Sequence, residues 1–192
     1  MKKTLAAVAA ATLVAVPLLG ASAALAIPPD DISLTPDCYP MCQGANLQGW
    51  TANEQTMPQG DFSGANLSNA DFHRSKLQGS NFSGINGFKF YLDKANLTDV
   101  DFTGANLTKA KLQKVNLTGA NLTNADLTKG TLKKANLTGA NLTGVNLTKV
   151  NVKGANLTNA NLTGADIKKA HFARATFNNT TCPDGTVTNT GC

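Results

Sequence analysis

Ala135-Asn136-Leu137-Thr138-Gly139-Ala140-Asn141-Leu142-Thr143-Gly144 is one five-residue phrase written twice. Each copy contains Asn-Leu-Thr, an acceptor pattern for N-glycosylation, and 13 asparagines in the chain sit in an Asn-x-Ser/Thr context. Such a chain is either heavily glycosylated or built from a repeat that generates the pattern incidentally. The spacing around the stretch decides. Leu92, Leu97, Phe102, Leu107, Leu112, Leu117, Leu122, Leu127, Leu132, Leu137, Leu142 and Leu147 stand five apart. Phe62, Leu67, Phe72, Leu77 and Phe82 precede them in the same frame; Val152, Leu157, Leu162, Ile167, Phe172 and Phe177 follow. Only Gly87 interrupts the series, and a small residue, usually alanine, sits two positions before each large one except Leu92, where Phe90 replaces it.

A period of five is neither the 3.6 of an amphipathic helix nor the 2 of a simple strand. A fixed period through a whole chain marks a repeat architecture, in which each unit buries its apolar residue only by stacking on copies of itself. The phrase A-(N/D)-(L/F)-(T/S)-x resembles the pentapeptide-repeat family over nearly all of the chain from Ile27 to Cys192. The resemblance implies an all-β fold, a right-handed quadrilateral β-helix with four pentapeptides per coil. It also implies that the large residue and the preceding alanine face inward, while the Asn/Asp, the Thr and the variable residue face outward or line the corners.

A second period supports four sides. At the variable position Lys89, Lys109, Lys129, Lys149 and Lys169 recur every twenty residues, and Arg74, Lys94, Lys114, Lys134 and Arg174 form a second column, broken at Gly154. The other two columns are mostly Gly and Asn. Parallel strands stack about 4.8 Å apart, so roughly seven coils give a rod on the order of 34 Å long. In that arrangement Asn and Thr form polar ladders between coils, and the glycosylation pattern is their by-product.

The predicted organisation is a leader over 1–26, an N-terminal segment and cap over 27–44, the β-helix over 45–181, and a disulfide-closed cap over 182–192. Lys2 and Lys3 precede an apolar run ending in Ala24-Leu25-Ala26, which reads as a secretory signal peptide cut after Ala26; an uncleaved anchor is the competing reading. Loss of Lys2 and Lys3 would lower the net charge from +5 to +3. The mature chain is thus expected outside the cytoplasm. Given a rod with Cys38 and Cys42 at one end and Cys182 and Cys192 at the other, only Cys38–Cys42 and Cys182–Cys192 can approach within the ~7 Å that a bridge needs. Trp50, in an alanine slot beside the small Ala52, reads as a plug for the first coil, and Ile85 beside Gly87 repeats that exchange of volumes.

Catalytic signals are absent. His73 and His171 lie coils apart without a placed nucleophile, and Asp61, Asp71, Asp101, Asp126 and Asp166 occupy the ladder position as variants of asparagine. The chain is expected to be no enzyme and to need no cofactor or metal. The two basic columns, reinforced by Lys111, Lys133 and Lys153, form a candidate anion-binding surface. Solubility and inheritance by coil duplication compete with it, since Leu117–Asn136 and Leu137–Asn156 look like copies of one coil. Phe88 and Tyr91 form a candidate aromatic patch, weighed against local repacking around Gly87. The partner stays open between an anionic cell-envelope polymer and another protein. Some members of the family mimic DNA and act on DNA gyrase, but that role goes with an acidic, cytoplasmic rod, and this chain departs from both features.

Overall fold

The computed structural model describes residues 37–192. The expected leader over 1–26 and the segment 27–36 lie outside the described residues. From 44 to 179 every fifth residue has a positive φ, between 51° and 71°. The amide one position later donates back to the carbonyl of the large residue, as from Ala120 to Leu117 at 3.1 Å. Positive φ at the third residue of a four-residue turn is the mark of a type II turn. One such corner per pentapeptide brings the chain over its own start after four units. Residue i therefore pairs in parallel with residue i+20, from Met41 with Asp61 through to Asn161 with Thr181. Each side contributes one paired residue per coil, because the corner consumes the rest of the five. The four sides are numbered here by their pairing columns: the first through Met41, Asp61 and Asn81, the second through Asn46, Asn66 and Asn86, the third through Thr51, Asp71 and Tyr91, and the fourth through Thr56, Lys76 and Asn96.

The backbone amides explain the rest of the motif. In the unit Asn116–Ala120, the Asn116 amide donates to Ala95 O at 3.0 Å, that of Leu117 to Asn136 O at 2.7 Å, and that of Gly119 to Thr138 O at 3.0 Å. The Ala120 amide closes the turn. The Thr118 amide has no main-chain acceptor and donates instead to the Asn116 side-chain oxygen at 3.2 Å. An Asn or Asp at this position thus supplies the acceptor that the backbone lacks, and an unpaired backbone N–H is costly. Two exceptions find substitutes: with Lys111 in the slot, the Gln113 amide donates to Asp93 Oδ1 one coil back at 2.7 Å, and with Thr131 there, the Lys133 amide donates to Thr131 Oγ1 at 3.4 Å. The remaining Asn and Thr atoms extend the network. Thr118 Oγ1 donates to Asn116 Oδ1 at 2.7 Å and accepts from Asn136 Nδ2 at 2.9 Å. The repeated Asn-Leu-Thr is a structural ladder on this evidence.

The core is a single column of buried side chains from Cys42 to Phe177. Phe62, Phe82 and Phe102 stack along the axis at centroid separations of 4.8 and 5.2 Å, which matches the spacing of stacked strands. Trp50 packs edge-on against Phe72 at 5.1 Å, above a fully buried Ala52. At Gly87 an added Cβ would meet Ile85 Cδ1 at 3.2 Å and Leu107 Cδ2 at 3.0 Å. Ile85 therefore fills the space that the missing large residue leaves.

Regular corner geometry begins early. Met41 already pairs with Asp61, and Cys42 is 1% exposed in the large-residue slot, inside the segment read from sequence as a cap. Cys42 is bonded to Cys38, with Cα atoms 4.9 Å apart. The Tyr39 hydroxyl donates to Pro58 O at 2.7 Å. At the other end β1 (Thr180–Thr181) pairs antiparallel with β2 (Val187–Thr188), and Cys182 is bonded to Cys192 with Cα atoms 5.4 Å apart. The hairpin thus starts two residues before the predicted cap.

Asn136→Ala removes the acceptor of the Thr138 amide and the donor to Thr118 Oγ1. It should lower unfolding free energy by about 2 kcal/mol, read from the urea midpoint, whereas Asn136→Asp should retain most of that stability.

Candidate interaction face

The corner sets where the basic residues stand. All ten residues of the two predicted columns, Arg74, Lys89, Lys94, Lys109, Lys114, Lys129, Lys134, Lys149, Lys169 and Arg174, occupy the positive-φ position, at 56° to 63°, and all are exposed. Lys89, Lys109, Lys129, Lys149 and Lys169 line the corner entering the third side. Arg74, Lys94, Lys114, Lys134 and Arg174 line the corner leaving it. Lys133 and Lys153 sit beside this second column, and Lys111 lies between the two. From sequence the charge reads as two adjacent basic sides. The structure instead shows one side bracketed by two basic edges. Among the described residues, Lys76 on the fourth side and Lys168, which stands beside Asp166 of the second side with its Nζ 3.3 Å from Asp166 Oδ2, are the lysines and arginines placed away from this side and its two corner columns.

A non-glycine residue in the left-handed region costs about 1–2 kcal/mol. Glycine would relieve that strain, and it does occupy this position through most of the corner after the first side, from Gly64 to Gly164. Basic residues thus recur at a position that disfavours them conformationally, on two corners out of four.

Acidic neighbours are few on the third side. Arg74 Nη1 lies 2.8 Å from Glu54 Oε1, and His73 Nδ1 lies 3.2 Å from Asp71 Oδ1. Among the described residues no other member of the ten has a carboxylate within salt-bridge distance. Phe88 and Tyr91 are half-buried, and lysines cover them. Lys89 Nζ and Lys109 Nζ each sit 5.3 Å from the Phe88 ring centroid, and Lys111 Nζ sits 4.6 Å from that of Tyr91. Cation–π attraction anchors these ammonium groups. The two rings of the candidate aromatic patch thus hold lysines in place. The sequence signal for this existed, since Lys109 and Lys111 follow Phe88 and Tyr91 by one coil.

A pentapeptide-repeat family model matches in eight copies, over residues 42–84, 91–119, 120–159, 140–179 and 155–189. This chain belongs to the pentapeptide-repeat family. The unmatched residues between 84 and 91 hold the Gly87 irregularity. No curated protein sequence matches the chain. Solved pentapeptide-repeat structures do. QnrB1, a plasmid-mediated fluoroquinolone resistance protein, is 22% identical over 73% of this chain and 66% of its own, with a TM-score of 0.45. A thylakoid-lumen protein from Arabidopsis thaliana is 36% identical over 48% of this chain and 64% of its own, with a TM-score of 0.33. HetL, involved in heterocyst differentiation regulation in the cyanobacterium Nostoc, is 23% identical over 74% of this chain and 93% of its own, with a TM-score of 0.27. The chain thus spans just under two thirds of the QnrB1 chain and of the Arabidopsis chain.

Pentapeptide-repeat proteins are generally non-enzymatic scaffolds. Among the described residues no three His, Cys, Asp or Glu side chains gather to hold a metal ion, and no helix is long and apolar enough to cross a membrane. Two disulfides with no free cysteine fit an oxidising compartment.

Two predictions follow from the corner and ladder chemistry. Lys129→Gly should raise stability by about 0.5 kcal/mol, the left-handed strain relieved less the entropy of glycine, while Lys129→Val should lower it by about 1 kcal/mol. Both are read by urea unfolding. The carboxyls of Asp61 and Asp166 are held below their usual range, chiefly by the Ser63 and Lys168 amides, and that of Asp184 chiefly by the Thr186 hydroxyl. A carboxyl depressed on folding stabilises above its unfolded pKa, and the gain is lost as pH falls through its folded value. This carboxylate contribution should be constant from neutral pH to about pH 5 and decline below about pH 4. Asp61→Asn should flatten that acid limb in thermal melts.

Proposed function

We propose that this protein is a secreted, non-enzymatic rod of about seven right-handed coils, acting as a structural or interaction module outside the cytoplasm. The observation that carries this reading is the division of labour in each pentapeptide. The inward residues are spent on a sealed core and the Asn and Thr on ladders, which leaves the corner residue as the one free to carry recognition. The leader-like start and the two disulfides support an extracytoplasmic place.

A second, sharper reading is favoured by a specific observation. Basic residues fill strained corners on both edges of one side, so the rod is a salt-sensitive binder of extracellular anionic polymers. Solubility alone would be served by lysines distributed over all four sides, at positions without backbone strain. Gyrase-directed DNA mimicry has no support, since it needs an acidic face.

The deciding measurement is co-sedimentation of Ile27–Cys192 with cell envelopes of the source organism at about 50 mM and about 500 mM salt. The expected result is binding at low salt, lost at high salt and in Lys109→Glu/Lys129→Glu/Lys149→Glu. Binding that ignores both salt and these substitutions would place recognition elsewhere on the rod. No binding at either salt would leave the columns as a solvated surface.

A further inference from the structure

The third side narrows the class of polyanion; this inference rests on the reading of that side as a binding surface. Four successive rungs cross it without an acidic residue: Lys109–Lys114, Lys129–Lys134, Lys149–Gly154 and Lys169–Arg174. Its acids lie toward the N-terminal end and are engaged already, Glu54 by Arg74, Asp71 by His73 and Asp93 by the Gln113 amide. Four residues, such as 110–113, separate the two corner positions of a rung, so the basic edges run on the order of 10 Å apart, with a rung about every 4.8 Å.

Straight parallel rails suit a polymer that itself runs straight. The phosphates of a duplex wind away from a flat side within a fraction of a turn, so few of them could meet the rails. A single nucleic-acid strand could lie between the rails, but such strands are gripped largely by bases stacking on aromatic side chains. Between the rails the first three acid-free rungs offer Lys111, Thr131 and Asn151 and no aromatic residue. The nearby Phe88 and Tyr91 rings already sit under lysines. What lies between the rails is ammonium, hydroxyl and amide, a set that hydrogen-bonds to hydroxyl groups. An extended pyranose residue is about as long as one coil rise, ~4.8 Å. One carboxylate per sugar therefore keeps step with one rung per coil, and a stiff sugar chain loses less entropy on binding than a flexible phosphate polymer does.

We propose that the third side binds a linear acidic polysaccharide with one carboxylate per sugar, a single chain lying along the rod axis with its carboxylates shared between the two lysine rails. Carboxylate–ammonium pairing supplies attraction, and Thr131 and Asn151 supply contacts to ring hydroxyls.

The test is titration of the purified chain, both disulfides intact, with fluorescently labelled polygalacturonate at about 50 mM salt. Competitors are poly(glycerol phosphate), poly(dT), duplex DNA and neutral dextran, matched by anion concentration where charged. Polygalacturonate should bind at least tenfold more tightly than any competitor. Reversing either rail, by Lys109→Glu/Lys129→Glu/Lys149→Glu or by Lys94→Glu/Lys114→Glu/Lys134→Glu, should each weaken it at least tenfold. Neutralising one rail with Lys109→Gln/Lys129→Gln/Lys149→Gln should reduce the slope of log affinity against log salt by about 2, at about 0.7 per lost contact. These milder changes keep the test intact should a charge-reversed rod fail to fold. Lys76→Glu, on another side, should leave affinity unchanged. Equal or tighter binding of poly(dT), duplex DNA or poly(glycerol phosphate) would overturn the ligand class while leaving the basic side as a binding surface. Failure of every polyanion to bind at low salt would overturn the underlying reading as well.

Discussion

A corner residue held at positive φ in every pentapeptide turns the chain by one side, and four such corners return it to register. That geometry fixes the i to i+20 pairing, and the pairing then claims three of the five backbone amides in a unit. A fourth amide closes the turn. The fifth, on the residue after the large apolar one, is left for a side chain, and the Asn or Asp two positions earlier accepts it. The polar half of the motif therefore has a backbone role of its own beside the apolar half. Thr is the complement of Asn here, taking a donor from one coil and giving one within its own, as Thr118 does between Asn116 and Asn136.

The same corner separates structure from recognition. Inward positions tolerate only exchanges that conserve volume, such as Ile85 for the space at Gly87 and Trp50 above Ala52. Outward ladder positions are tied by hydrogen bonds. The corner side chain points away from both and meets no packing requirement; its one constraint is the left-handed backbone. Glycine and asparagine satisfy that constraint on the first and fourth corners for most of the rod. Lysine and arginine occur there at a conformational cost on the other two. Like charges stacked about 4.8 Å apart add roughly 0.9 kcal/mol of unscreened repulsion per neighbouring pair in water, which salt and side-chain splay reduce. The aromatic rings of Phe88 and Tyr91 offset part of it locally by holding three ammonium groups. A surface that is costly in two ways and confined to one side differs from a diffuse solubilising coat.

The spacing of Leu and Phe by itself determined the repeat, the inward face and the exchange of volumes at Gly87, because a five-residue period admits no common element other than a stacked coil. The twenty-residue recurrence of Lys89, Lys109 and Lys129 marked four corners per turn. Where the corner falls within the five residues was decided only by the tertiary structure. That placement depends on the sign of φ, which lysine does not reveal in the way glycine does, and it turns two basic columns into the two edges of one side. Contacts between coils were equally hidden. Phe88 reads as an exposed aromatic until Lys109, one coil later, is placed over it, and the acceptor of the Gln113 amide lies twenty residues back at Asp93. Cys42 reads as part of a cap because it is not leucine, yet stacking puts it in the core of the first coil. Local pattern identifies what each unit contains, while only stacking decides which units become neighbours.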